Sequence, residues 1–125
     1  MPVLSGTSGA SPIDTRRLTD MKNSIGALAA LDIISDFRRV LEARLHEFKT
    51  YNKAPASTRF HILHDLSSAA ETLGLLELAL ASDRLAYQIR YDPPSADDPR
   101  LSEDVVAAGN RAIHAIEEYL RHAAH

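Results

Sequence analysis

Residues 64–74 carry the sequence HDLSSAAETLG, and the pattern of this stretch decides both the fold and the position of the candidate site. At about 100° per residue, the apolar side chains in and just before it fall on one face of a helix. That face comprises Ile62, Leu63, Leu66, Ala69, Ala70 and Leu73. His64 lies about 160° from Leu66 on the same helical wheel. The stretch therefore predicts an amphipathic helix with a buried apolar face and a histidine that faces solvent.

Three further segments show the same apolar periodicity, one at about residues 28–51, one directly after Gly74 and one near the end of the chain. Their inner faces comprise Leu31, Ile34, Phe37, Leu41, Leu45 and Phe48, then Leu75, Leu78, Leu85 and Ile89, then Val105, Ala108, Ala112, Ile113, Ile116 and Leu120. Because each apolar stripe must be buried against its neighbours, the pattern predicts an all-α, up-down-up-down four-helix bundle. Asp14 is placed to cap an additional short N-terminal helix.

Turn and cap residues suggest where the elements begin and end. Residues 1–12, rich in Gly, Ser, Thr and Pro, predict a flexible tail, and residues 13–125 predict one helical domain. Ser57 is a candidate N-cap for the helix that carries His64, because a proline two residues earlier breaks the preceding helix. The two Asp-Pro steps in residues 91–100 predict a loop, after which Ser102 would cap the last helix.

Composition excludes several classes of protein. The chain has 125 residues, a net charge of -3 and no cysteine, so disulfides and thiolate chemistry are absent. No basic stripe offers the surface that nucleic-acid binding requires, and no apolar run is long enough to cross a bilayer. The N-terminus also lacks the charged and apolar regions of a signal peptide. These observations predict a cytoplasmic protein that binds neither nucleic acid nor membrane.

Few motifs in the chain carry chemistry. His61 and His64 have the spacing of two metal ligands on one helix face, but the sequence offers no identifiable third ligand. It also lacks glycine-rich nucleotide loops, paired carboxylates and a nucleophile triad. We therefore expect no enzyme active site, metal or cofactor. What remains is an exposed imidazole nucleophile at His64, with the small Ser68 one turn on leaving room for another protein's active site.

The same stretch resembles the signature of the histidine-containing phosphotransfer (HPt) domains of bacterial phosphorelays. That signature is His-x-Leu, usually followed by Lys-Gly, with an apolar residue nine and a glycine ten positions after the histidine. His64, Leu66, Leu73 and Gly74 match it in register. The order of predicted helices extends the resemblance to residues 30–124.

The chain matches the signature in one register and departs from it at two positions. His61 also begins a His-x-Leu triplet, but Glu71 then stands where the signature requires glycine, so His64 is the matching histidine. Ser67 replaces the usual lysine and Ser68 the usual glycine. A lysine would neutralise an arriving phosphoryl group through a charge-assisted hydrogen bond, which a serine hydroxyl replaces only in part.

The resemblance implies that His64 accepts a phosphoryl group through Nε2 from the aspartate of one receiver domain and passes it to the aspartate of another. The implied partners are the receiver domains of a hybrid histidine kinase and of a response regulator, with Mg²⁺ supplied by the receiver. The chain would be a monomer without kinase activity of its own. Receiver docking is expected on the surface formed by Phe60, His61, Ser67, Ser68 and Glu71 around His64.

Two questions stay open at this level. Because Ser67 carries no charge, the protein could instead be a helical adaptor that binds receivers or other signalling proteins without being phosphorylated. Phe60, at about 120° from the core direction, is either an apolar docking contact or a residue at the rim of the core.

Overall fold

The computed structural model describes residues 13–123, and every regular element in this range is an α-helix. In chain order the helices are α1 (Thr15–Ile25), α2 (Ala27–Thr50), α3 (Ala56–Thr72), α4 (Leu76–Tyr91), α5 (Pro93–Ala96) and α6 (Pro99–Ala123). The predicted all-α class is confirmed. Residues 1–12, for which the sequence predicts a tail, lie outside the described range, as do residues 124 and 125.

The four long helices contact one another in a cyclic order, in which α2 packs on α3, α3 on α4, α4 on α6, and α6 on α2. Each contributes side chains to one apolar core. Its fully buried members include Ile34, Leu41, Leu63, Leu66, Leu73, Leu78, Leu85, Val105 and Ile116. Burial of a side chain of this size stabilises the fold by about 1.5–3 kcal/mol. The apolar face predicted for the His64 helix is therefore a core face.

The turn between α3 and α4 depends on a glycine. The Gly74 N–H donates to the carbonyl of Glu71 at 3.1 Å, and the Leu75 N–H donates to the carbonyl of Ala70 at 2.8 Å. These are the two hydrogen bonds of a Schellman motif, which places the residue after the C-cap in the left-handed region. Gly74 has φ +74°, a conformation that glycine adopts without steric cost. The prediction that the helix ends at Gly74 is confirmed.

Helix α1 is attached to this turn by two long-range hydrogen bonds. The Asp14 N–H donates to the carbonyl of Gly74, and Nη1 of Arg17 donates to the carbonyl of Glu71, both at 2.8 Å. Asp14 also caps α1 as predicted, since its Oδ1 accepts the Arg16 N–H at 3.0 Å. The start of α1 is therefore fixed beside the end of α3.

Removal of this cap gives a testable loss of stability. We expect Asp14→Ala to lower the free energy of unfolding by about 1 kcal/mol, because the Arg16 N–H loses its acceptor. Urea unfolding followed by circular dichroism measures the change. Asp14→Asn keeps an acceptor of the same shape and should lose less than half as much. An equal loss in the two variants would show that the charge of Asp14 matters and its capping bond does not.

The predicted start of α3 is wrong by two residues. The helix begins at Ala56, so Ser57 lies inside its first turn instead of capping it. Pro55 precedes the helix in an extended conformation, and its carbonyl accepts the Arg59 N–H at 3.1 Å. Pro55 occupies the N-cap position and has no side-chain acceptor, so this end of α3 has no side-chain cap.

The predicted loop at residues 91–100 and its Ser102 cap are also wrong. Pro93 and Pro99 are the first residues of α5 and α6, positions where the fixed φ and missing N–H of proline are tolerated. Asp98 precedes α6, and Arg100 donates to its carboxylate from both the side chain and the backbone, which lowers the pKa of Asp98. Asp98 thus occupies the role expected of Ser102, which lies within α6.

None of the helices in residues 13–123 is both long and apolar enough to cross a membrane.

Candidate functional site

The middle of α3 presents His64 to solvent. Leu63 and Leu66 on either side of it are fully buried, because this face of α3 packs into the core. The His64 side chain is exposed, as predicted, and within residues 13–123 it has no hydrogen-bond or ion-pair partner. Among the described residues, nothing therefore occupies either ring nitrogen, and both can react with another molecule.

The imidazole of His64 stacks on an aromatic ring one turn earlier. The Phe60 and His64 rings are nearly parallel, with an interplanar angle of 7° and centroids 6.3 Å apart. Phe60 is half-buried and packs against the core, so its position is fixed by the fold. The ring of His61 also contacts the ring of Phe60, in an edge-on arrangement with the two centroids 6.2 Å apart. Phe60 therefore lies at the core rim and also supports the exposed histidine.

Helix α4 contributes a cation to the same cluster. Cζ of Arg90 lies 4.8 Å from the centroid of the Phe60 ring, within the range of a cation–π contact. Within residues 13–123, no carboxylate forms an ion pair with Arg90. A surface depression of about 270 Å³ lies between the two helices here. It is lined by Ala56, Ser57, Phe60, His61, Ile89 and Arg90. Within residues 13–123, an uncompensated positive charge thus lies against Phe60, the ring on which the imidazole of His64 stacks.

Ser67 is not part of this surface, and the prediction that it is exposed is wrong. Its side chain is only 4% accessible, and its Oγ donates to the Glu71 carboxylate at 3.4 Å. On the helical wheel, Ser67 lies within about 20° of Phe60. That side of α3 faces α4, as the contact between Phe60 and Arg90 shows. Packing of α4 on α3 therefore buries Ser67.

Ser68 is exposed, as predicted, and lies on the side of α3 that faces α2. It lines a shallow depression together with Phe37, Val40, Arg44, Asp65, Ala69 and Thr72. Arg44 donates to the carboxylate of Glu47 at 2.5 Å and lies 3.6 Å from that of Asp65. These carboxylates, Glu47 above all, raise the pKa of Arg44 above its ordinary value. The charge of Arg44 is thus already compensated, unlike that of Arg90.

Glu71 is exposed on the same face as His64 but about 10 Å farther along the helix axis. Its backbone carbonyl accepts the side chain of Arg17 from α1, and its carboxylate accepts the hydroxyl of Ser67. Glu71 therefore helps to join α1 to α3 at the edge of the candidate site.

A metal centre at His61 and His64 would need a third ligand. In the part of the chain that the structure describes, no three histidine or acidic side chains are grouped closely enough to hold a metal ion. The cluster that the fold assembles is instead one of two imidazoles, one aromatic ring and one guanidinium. Such a cluster offers a nucleophile and a nearby cation to an anionic group.

Sequence reasoning missed Arg90, the cation of this cluster. Arg90 is 26 positions after His64, and no local motif links the two residues. The only available signal was the helix that follows Gly74, which had to fold back onto the His64 helix. Its register against that helix decides which side chain reaches Phe60.

Comparisons with protein-family models, with curated proteins and with solved structures find no match to this chain.

Proposed function

We propose that this chain is a histidine phosphotransfer protein that relays a phosphoryl group between the aspartates of receiver domains through His64. The observation that carries the proposal is the exposed imidazole of His64, stacked on the Phe60 ring against which Arg90, unpaired within residues 13–123, also lies. The match of His64, Leu66, Leu73 and Gly74 to the HPt signature supports it. In this proposal the four long helices form the up-down-up-down bundle of that family, and the protein acts in the cytoplasm.

The reaction needs little from this chain beyond a positioned nucleophile. The lone pair of Nε2 on neutral His64 attacks the phosphorus of a receiver's aspartyl phosphate in line. The new N–P bond forms as the bond from phosphorus to the aspartate oxygen breaks, and the aspartate leaves as a carboxylate. Nδ1 keeps its proton throughout. Transfer to the second receiver reverses these steps. Because each receiver would supply its own Mg²⁺, the carrier needs no cofactor. It has no kinase activity of its own.

Phosphorylation adds negative charge to the His64 ring, and a nearby cation would stabilise it. The usual lysine of the signature is absent, and the residue in its place, Ser67, is buried. Arg90 has no carboxylate partner within residues 13–123 and already lies against Phe60. We propose that Arg90 supplies the positive charge that Ser67 cannot.

Arg90→Ala should therefore slow phosphoryl transfer to His64 by about tenfold or more, the effect of losing a charge-assisted hydrogen bond of about 1.5–3 kcal/mol. Rapid-quench transfer from a phosphorylated receiver measures this rate. Arg90→Lys keeps the charge and should recover most of it.

Arg84 provides the matched control for this prediction. It is an exposed arginine on the same helix with no partner within residues 13–123, and it lies about 120° from Arg90 around the helix. Arg84→Ala should leave the transfer rate unchanged. An equal loss in Arg84→Ala and Arg90→Ala would mean that only overall charge matters and would remove Arg90 from the site.

A phosphorylation-independent adaptor is the alternative function, and the burial of Ser67 favours it. Such an adaptor would bind receivers through the same face without taking up phosphate. Transfer from a panel of phosphorylated receiver domains separates the two functions, because only the carrier acquires an acid-labile phosphoryl group.

A further inference from the structure

Helix α4 exposes a stripe of large apolar side chains that nothing in residues 13–123 covers. Leu76, Leu80, Tyr87 and Tyr91 are 51%, 65%, 59% and 67% accessible, respectively. Measured from Leu76 at about 100° per residue, the other three lie at about 40°, 20° and 60° around the helix. The four side chains therefore form a strip along the outer face of α4, in which Leu80 and Tyr87 lie about 10 Å apart along the helix axis.

The strip is flanked by opposite charges at its midpoint. Asp83 lies about 20° to one side of Leu76, and Arg84 about 80° to the other, so the two residues border opposite edges. Both are exposed, and within residues 13–123 neither forms an ion pair. By contrast, Glu77 on the same helix is paired with Arg111 of α6 at 2.9 Å. The two charges at the centre of the strip thus have no ion-pair partner in the part of the chain that the structure describes.

These observations point to a specific occupant. We propose that the α4 strip binds the same strip of a second copy of this chain, with a two-fold axis parallel to the helix. Such an axis brings each edge of the strip against the opposite edge of the partner at the same height. Asp83 of one copy then faces Arg84 of the other copy, with the two residues offset by about 1.5 Å along the helix axis. By symmetry, this pair forms twice. The apolar side chains pack on their own equivalents between the two ion pairs.

Two features determine how tightly this dimer forms. The rings of Tyr87 and Tyr91 already contact each other, tilted by 46° with centroids 4.9 Å apart, so little side-chain freedom is lost on association. A contact confined to one helix of 16 residues is, however, smaller than the roughly 800 Å² per partner of a standard interface. The dimer is therefore weak and depends on protein concentration. The HPt resemblance implies a monomer, with which the polar outer faces agree, and the outer face of α4 is the exception.

Sedimentation equilibrium over roughly 1 µM to 1 mM tests the dimer without any phosphoryl transfer, so it can fail independently of the proposed function. The wild type should shift from monomer to dimer within this range. Leu80→Glu should raise the dissociation constant more than about tenfold, because it places a carboxylate in the apolar contact. Leu28→Glu is the matched control, since Leu28 is 81% accessible on α2 and should have no effect.

Charge exchange tests the orientation of the two copies. Asp83→Arg alone, or Arg84→Asp alone, sets like charges against each other and should weaken the dimer. The double variant, with both substitutions, restores the pairs and should recover the affinity. A wild type that stays monomeric up to 1 mM would overturn the proposal, as would a dimer that Leu80→Glu leaves intact or a double variant no better than the single ones.

Discussion

We expect His64→Gln to abolish the uptake of phosphoryl groups from phosphorylated receiver domains, the largest effect of any substitution in this chain. Glutamine keeps a polar side chain at this exposed position but has no nucleophilic nitrogen, since its amide lone pair is delocalised. Because His64 is exposed and has no hydrogen-bond or ion-pair partner within residues 13–123, its replacement costs the fold little. The measurement is transfer of labelled phosphate from a panel of phosphorylated receivers, followed by the acid lability of the label.

His61→Gln is the matched control, because His61 is also exposed and also meets the Phe60 ring. It should keep its uptake of phosphate. Label that persists in His64→Gln and disappears in His61→Gln would move the acceptor to His61 and contradict the signature match. Binding of receivers without label on the wild type would instead support the adaptor function.

Gly74→Ala gives the largest loss of stability that we expect from adding a single methyl group. Gly74 has φ +74°, which costs an alanine about 1–2 kcal/mol. A Cβ atom here would also lie 3.0 Å from Cβ of Asp14, 3.1 Å from Cβ of Arg17 and 3.1 Å from the carbonyl oxygen of Asp14. Together these effects should lower the free energy of unfolding by about 2–4 kcal/mol and the Tm by roughly 10 °C.

Gly74→Asn separates the two causes of this loss. Asparagine tolerates the left-handed region better than alanine but has the same Cβ atom, so it should recover only the conformational part, about 1 kcal/mol. Hydrogen exchange of the amides in α1 would distinguish release of α1 from unfolding of the whole domain. A Gly74→Ala variant as stable as the wild type would contradict the close approach of α1 to this turn.

Gly74 illustrates what could be predicted for the fold. A glycine directly after an apolar helical pattern predicts a helix end, because the left-handed conformation required there is a local property of the backbone. The approach of α1 to that glycine could not be predicted, since it depends on where Asp14 and Arg17 lie after packing. Pro93 and Pro99 show the opposite case, because the same residue type is compatible with a loop and with a helix start.

The sequence by itself determined the helical class, the buried face of the His64 helix and the exposure of His64, because these depend on a period of 3.6 residues that is set locally. Only the tertiary structure decided that Ser67 is buried and that Arg90 lies on Phe60. A helical wheel gives the direction of a side chain but not the position of the neighbouring helix. Packing of α4 against α3 extends the buried face of α3 to include Ser67. It also brings Arg90, which is 26 positions after His64 in the chain, into contact with Phe60.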